Sequence, residues 1–192
     1  NGRIYARNAG GEIVCLDGAY TGTQVLTRTF ATPVVVRAEH AYRARLTSSA
    51  AQHRVLYVSG ANIALRGFEM VGVPGGPDSY LVQITTAACH DVLLENNILH
   101  DSFRNDIVKI NDGAHHVTVR GNMFYNMPAA GDEHLDVNTV HDIVLEDNVF
   151  FNDFAGSGRI NLNVTHPFVL IKNSGSTFVT RNVTVRRNVF LN

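Results

Sequence analysis

Two short apolar patterns advance along this chain in step, and that shared advance constrains the fold more than any other feature. The first pattern is Ile63-Ala-Leu-Arg-Gly, Val92-Leu-Leu-Glu-Asn-Asn, Val117-Thr-Val-Arg-Gly-Asn, Ile143-Val-Leu-Glu-Asp-Asn and Val183-Thr-Val-Arg-Arg-Asn, with first residues 29, 25, 26 and 40 positions apart. The second is Leu56-Tyr-Val58, Val82-Gln-Ile84, Val108-Lys-Ile110, Leu135-Asp-Val137 and Val169-Leu-Ile171, with last residues 26, 26, 27 and 34 apart. Within each segment apolar and polar residues alternate, which is the period of a half-buried strand. The segments are too close together for packed helices between them, and no repeat carries a 3.6-residue period. Stacking equivalent strands in parallel buries the Val, Ile and Leu side of every coil in one continuous core. The pattern therefore predicts an all-β chain, a right-handed parallel β-helix. It is a single-stranded solenoid of about 26 residues per coil.

The turns repeat with the strands. Asn97, Asn122, Asn148 and Asn188 share one position, and Asp101, Asn126, Asn152 and Asn192 share another four residues later. An asparagine carries both donor and acceptor, so stacked copies can bond one another and the turn backbone. Between them Leu99, Phe124, Phe150 and Phe190 form a candidate core stack. The opening coils are read from Ile13–Tyr20, Val34–Val36 and Arg45-Leu-Thr, punctuated by Gly18, Gly22 and Pro33. Residues 1–192 are expected to be one β-helix domain within a longer chain. Uncapped solenoid ends make self-association a further expectation.

Charge narrows the partners. Sixteen Lys and Arg stand against 17 Asp and Glu, a formal net charge of −1, so there is no basic footprint for nucleic acid. No apolar run reaches the length of a membrane-spanning helix. Cys15 and Cys89 fall several coils apart at about 4.8 Å per coil. That exceeds the reach of a disulfide, and both are expected to be reduced core residues.

The segment Gly11-Glu-Ile-Val-Cys-Leu-Asp-Gly-Ala-Tyr-Thr-Gly resembles the first coil of pectate-lyase-like parallel β-helix proteins. Asn-Asn-Ile-Leu-His and Gly-Asn-Met-Phe-Tyr-Asn resemble repeats of the same superfamily. The opening coil is most similar to the branch that contains chondroitinase B and some alginate lyases. The resemblance implies a secreted, cell-surface or periplasmic protein that handles polysaccharide. It does not extend to that branch's catalytic motif. The corresponding region, Phe103 to Gly113, lacks the Gly-Glu-x-Glu calcium motif, and Lys109 stands several positions before the expected catalytic lysine.

Alternation turns Tyr57, Gln83, Lys109 and Asp136 away from the core on successive coils, with Arg104, Asp106, Asp132, Glu133 and His134 near them. A uronate lyase needs a base for the proton α to the carboxyl group, charge to stabilise the enolate, and help for the leaving group. Lys109, Arg104 and His134 are the catalytic candidates. Gln83, Tyr57, Asp136, Arg159 and His166 are the substrate-binding candidates. Asp132, Glu133 and Asp136 offer the oxygen ligands that suit calcium, the cofactor this reading admits. The structural alternative for Lys109 and Asp136 is a surface salt bridge worth at most about 1 kcal/mol.

Other columns read as scaffold. Arg66, Glu95, Arg120, Glu146 and Arg186 alternate in sign and should pair from coil to coil. His90, His116 and His141 form a candidate ladder of turn histidines, more suited to hydrogen bonding than to a metal. Two long loops, 153–167 and 173–180, leave the regular solenoid and place Arg159, Asn161, Asn163 and His166 as ligand candidates. Together these readings point to a carbohydrate-active β-helix protein acting on or binding an acidic polysaccharide, as a lyase or a glycoside hydrolase. The alternative is a non-catalytic spacer or adhesin module. Acidic, basic and aromatic side chains concentrated in one groove favour the enzyme; a uniformly polar surface favours the spacer.

Overall fold

The computed structural model describes residues 11–52, 54–74, 79–127, 132–153 and 167–191, and among them every regular element is a β-strand. The strands sort into three parallel sheets. The first stacks Glu12–Cys15, Val34–Ala38, Ile63–Arg66, His90–Glu95, His115–Arg120, His141–Glu146 and Arg181–Arg186. The second stacks Gly18–Thr21, Ala44–Thr47, Glu69–Val71, Ile98–His100, Met123–Tyr125, Val149–Phe151 and Val189–Phe190. The third stacks Gln24–Leu26, Leu56–Val58, Val82–Thr85, Val108–Asn111, Leu135–Asn138 and Val169–Lys172. Each coil contributes one strand to each sheet in turn, so the chain is the parallel β-helix that the repeat predicts.

Register follows the sequence repeat. Val92, Val117, Ile143 and Val183 are partners on the first sheet, and Val82, Val108, Leu135 and Val169 on the third. The core is one apolar column running through the coils, from Cys15 and Leu26 to Leu145 and Phe150. Phe124, Phe150 and Phe190 stack with ring centroids 4.8 and 5.0 Å apart. Both cysteines are free and buried. Ile171, Val185 and Phe190 hold the register positions of buried Val137, Leu145 and Phe150 but are exposed on the last described coil. Among the described residues no helix is long and apolar enough to cross a membrane.

Asparagines lock the turns. The backbone N–H of Asn97 donates to Asn122 Oδ1, and that of Asn122 to Asn148 Oδ1, each at 2.9 Å. The ladder begins with the Phe68 N–H on Asn97 Oδ1 and reaches Asn188. On the first sheet Arg66, Glu95, Arg120, Glu146 and Arg186 lie in one column and pair by charge between coils.

The histidine ladder differs from expectation by one residue. His115, not His116, is the partner of His90 and His141, with ring centroids 5.2 and 4.8 Å apart. Asp91, His116 and Asp142 occupy left-handed backbone with φ of 52°, 52° and 56°. They drop out of the strand pairing on every coil alike; His115, like His90 and His141, stands two residues before the aligned Val92, Val117 and Ile143, whereas His116 stands one before.

Candidate functional site

The outer face of the third sheet carries a group of buried polar side chains. Val82, Val108 and Leu135 point inward, as do Ile84, Ile110 and Val137, so Gln83, Lys109 and Asp136 between them point outward in register. A neighbouring column holds Thr85, Asn111, Asn138 and Lys172. The chain entering each strand adds Arg54, Tyr80, Asp106 and Glu133. There the Val55 N–H donates to the Leu81 carbonyl at 2.8 Å, the Leu81 N–H to that of Asp106 at 3.1 Å, and the Ile107 N–H to that of Glu133 at 3.2 Å.

Lys109 sits at the centre of this face. Its Nζ is ion-paired with Asp136 Oδ2 and lies 3.6 Å from Asp106 Oδ2. A second ammonium, Lys172 Nζ, reaches Asp136 Oδ2 at 2.8 Å. Asp106 Oδ1 accepts the Glu133 backbone N–H at 3.0 Å. Asp106, Glu133 and Asp136 each offer an oxygen within 4.8 Å of the other two. The Tyr80 ring lies 5.2 Å from Lys109 Nζ, and the Gln83 amide donates to Asn111 Oδ1 at 3.2 Å.

The pair expected to be a surface salt bridge is therefore buried. Relative exposure is 6% at Lys109, 1% at Asp106 and 0% at Asp136. Removing ions from water costs several kcal/mol each, so an apolar face would serve stability at least as well. Buried ionisable groups converging in one place make this face a candidate functional site.

Electrostatics distinguishes the members. Burial first, then the side-chain hydrogen bond with Glu133, pushes Asp106 up to about 7; the Glu133 N–H and Lys109 pull the other way, and Asp136 adds to the rise. Burial pulls the Lys172 ammonium down, but the hydrogen bond and charge of Asp136 outweigh it and leave Lys172 raised.

Of the residues chosen from sequence, the structure brings together Gln83, Lys109, Glu133 and Asp136, with Tyr57 in the same column as Gln83. His134 belongs elsewhere. It follows Val55, Leu81 and Ile107 in a column of core residues, its ring packs against Phe150 and Phe168, and Nε2 lies 2.9 Å from the Phe151 carbonyl oxygen. Arg104 is exposed with no ion pair among the described residues, and Asp132 stands outside the three-carboxyl group. Arg159 and His166, like Asn161 and Asn163, lie outside the described residues.

Three members were not chosen from sequence. Lys172 is concealed by the 34-residue step before its coil, and Tyr80 and Arg54 precede their strands, where alternation gives no guide. Asp106 was placed only as a neighbour of the group. Its register with Glu133, one repeat on, is the signal that marks it as a member.

The three-carboxyl group meets part of what a calcium site requires. Its oxygens have the right chemistry, and Asp136 Oδ1 is buried with no hydrogen-bond partner. Asp136 Oδ2, however, already holds two ammoniums. In this arrangement the residues do not fit a divalent cation unless both lysines are displaced.

No protein-family model matches the chain, and no curated protein matches it in sequence. Solved structures do match. One is a proposed glycosyl hydrolase from Parabacteroides merdae, 15% identical, with 94% of this chain and 83% of that one covered at a TM-score of 0.62. Another is an alginate lyase from Paenibacillus, 18% identical, with 93% and 68% covered at a TM-score of 0.61. At such identities the likeness shows a shared fold: this chain is similar to both proteins as a β-solenoid.

Proposed function

We propose that this protein is a carbohydrate-active β-helix enzyme that cleaves an acidic polysaccharide on the outer face of its third sheet. The observation that carries the reading is Asp106, a buried carboxyl between Lys109 and Glu133 whose proton is held up to about pH 7. Breaking a glycosidic bond needs a proton for the leaving oxygen and an ionised group for the charge that develops on the sugar. Asp106 supplies the proton, and neighbouring carboxylates face that charge. Lys109 and Lys172 both pair with Asp136 and hold it in place. The half-buried Tyr80, Asn111 and Lys172 border the group.

This reading moves proton transfer from Lys109 to Asp106. Lys109, ion-paired with Asp136, is a charge stabiliser rather than a base. The two ammoniums also favour a second reading, β-elimination, in which ionised Asp106 takes the proton α to a uronate carboxyl and Lys109 stabilises the enolate. The setting is extracellular, cell-surface or periplasmic, where such polysaccharides lie.

The test is incubation with alginate, pectate and chondroitin chains, following new reducing ends and unsaturated uronide absorbance together. Reducing ends without the chromophore identify hydrolysis, and both together identify elimination. Product formation that persists in Lys109→Ala would place the site elsewhere. No product from any acidic chain would favour the spacer or adhesin module.

A further inference from the structure

Arg54 stands apart from the paired arginines of the first sheet. Arg37, Arg66, Arg120 and Arg186 each meet a glutamate on a neighbouring coil. Arg54 is half-buried, no acidic side chain pairs with it among the described residues, and its Nε is buried with no hydrogen-bond partner. Its guanidinium carbon lies 5.2 Å from the centre of the Tyr57 ring. Burial lowers the Arg54 guanidinium from its ordinary value, and the groups that act against this are Tyr57 and Tyr80. A buried guanidinium donor without an acceptor is costly to hold, and a ligand that supplies the acceptor recovers that cost.

Position gives the vacancy its meaning. Arg54, Tyr80, Asp106 and Glu133 occupy one column on successive coils. At about 4.8 Å per coil, Arg54 is roughly 10 Å from Asp106 along the axis. Tyr80 lies between them and also faces Lys109. The lysines of the cluster are already engaged, since both ammoniums meet Asp136, so they leave little charge with which to select an anionic sugar. Arg54 is not neutralised.

We propose that Arg54 is the carboxylate anchor of the saccharide site, binding a uronate of a chain that runs along the helix axis from Asp106. The planar guanidinium fork matches a carboxylate through two parallel hydrogen bonds. Tyr57 and Tyr80 wall the sugar on either side. The proposal rests on the reading of this face as the saccharide-binding surface, and it makes Arg54 a specificity-determining residue rather than a catalytic one.

The experiment is titration calorimetry with oligogalacturonate and alginate oligosaccharides, each compared with the same oligomer after reduction of its carboxyl groups to alcohols. Wild type and Asp106→Asn are expected to bind at least one uronate oligomer tenfold or more tighter than its reduced form. Arg54→Gln should abolish that preference while leaving affinity for the reduced oligomer unchanged, and Arg54→Lys, with charge but no fork, should restore part of it. Thermal unfolding of each variant separates lost folding from lost recognition. Absence of a carboxylate preference in wild type, or its persistence in Arg54→Gln, would overturn the anchor. Preference without any cleavage would leave the anchor standing and remove only the catalytic reading.

Discussion

Asn148 Oδ1 accepts two hydrogen bonds from Asn122, one from the backbone N–H at 2.9 Å and one from the side-chain amide at 3.1 Å. The same Asn122 amide donates to the Leu94 carbonyl at 2.8 Å, so one side chain joins three coils. Asn122→Ala strands buried donors and acceptors on both sides, and is expected to cost about 1–3 kcal/mol. Urea denaturation checks this. Unchanged stability would mean that the ladder does not hold the turns.

The ion cluster makes a second, asymmetric prediction. Asp136→Leu leaves Lys109 buried beside Asp106 without its closest counter-charge, and should cost about 3–5 kcal/mol. Lys109→Met should cost less, because Asp136 keeps Lys172 at 2.8 Å. The double variant should recover most of the loss of Asp136→Leu. Denaturant midpoints of all three, at equal denaturant slope, decide the matter; simple additivity would show that Lys109 and Asp136 are not coupled.

Asp106 should shape stability against pH. Its ordinary value is 3.8 and the folded chain raises it to about 7, so the folded state binds more protons than the unfolded one between those limits. Its contribution therefore falls as pH rises through that window and levels off above it. His115 acts in the opposite sense. Burial, then the charges of His141, His116 and His90, lowers it from 6.5, so its effect destabilises the fold as pH drops below that value. The Asp106→Asn variant isolates the first contribution. Wild type minus variant should decline from about pH 4 to about pH 7, and a flat difference would contradict the burial of Asp106.

The solenoid was legible because its repeat is written locally. A strand of three or four residues and a turn asparagine recur on every coil, and stacking follows from their spacing. Gln83, Lys109 and Asp136 were legible for the same reason, each lying between two inward residues. His134 was not, because alternation fails at the corner that precedes the strand. There two consecutive side chains face inward, as in Val55-Leu56, Leu81-Val82 and Ile107-Val108, all fully buried. His134-Leu135 continues that series, so nearness in sequence to Asp136 does not bring the imidazole to the outer face. Burial was also invisible from sequence: outward from the core does not mean open to water, as Asp136 demonstrates.

The most direct test of the central claim is the pH dependence of turnover by wild type and Asp106→Asn on whichever acidic polysaccharide the protein cleaves. A general acid poised near neutrality predicts a kcat that falls above about pH 7, together with a loss of about 10²–10⁴-fold in the variant while its fold is intact. Wild-type turnover in Asp106→Asn, with the alkaline limb unchanged, would contradict the account.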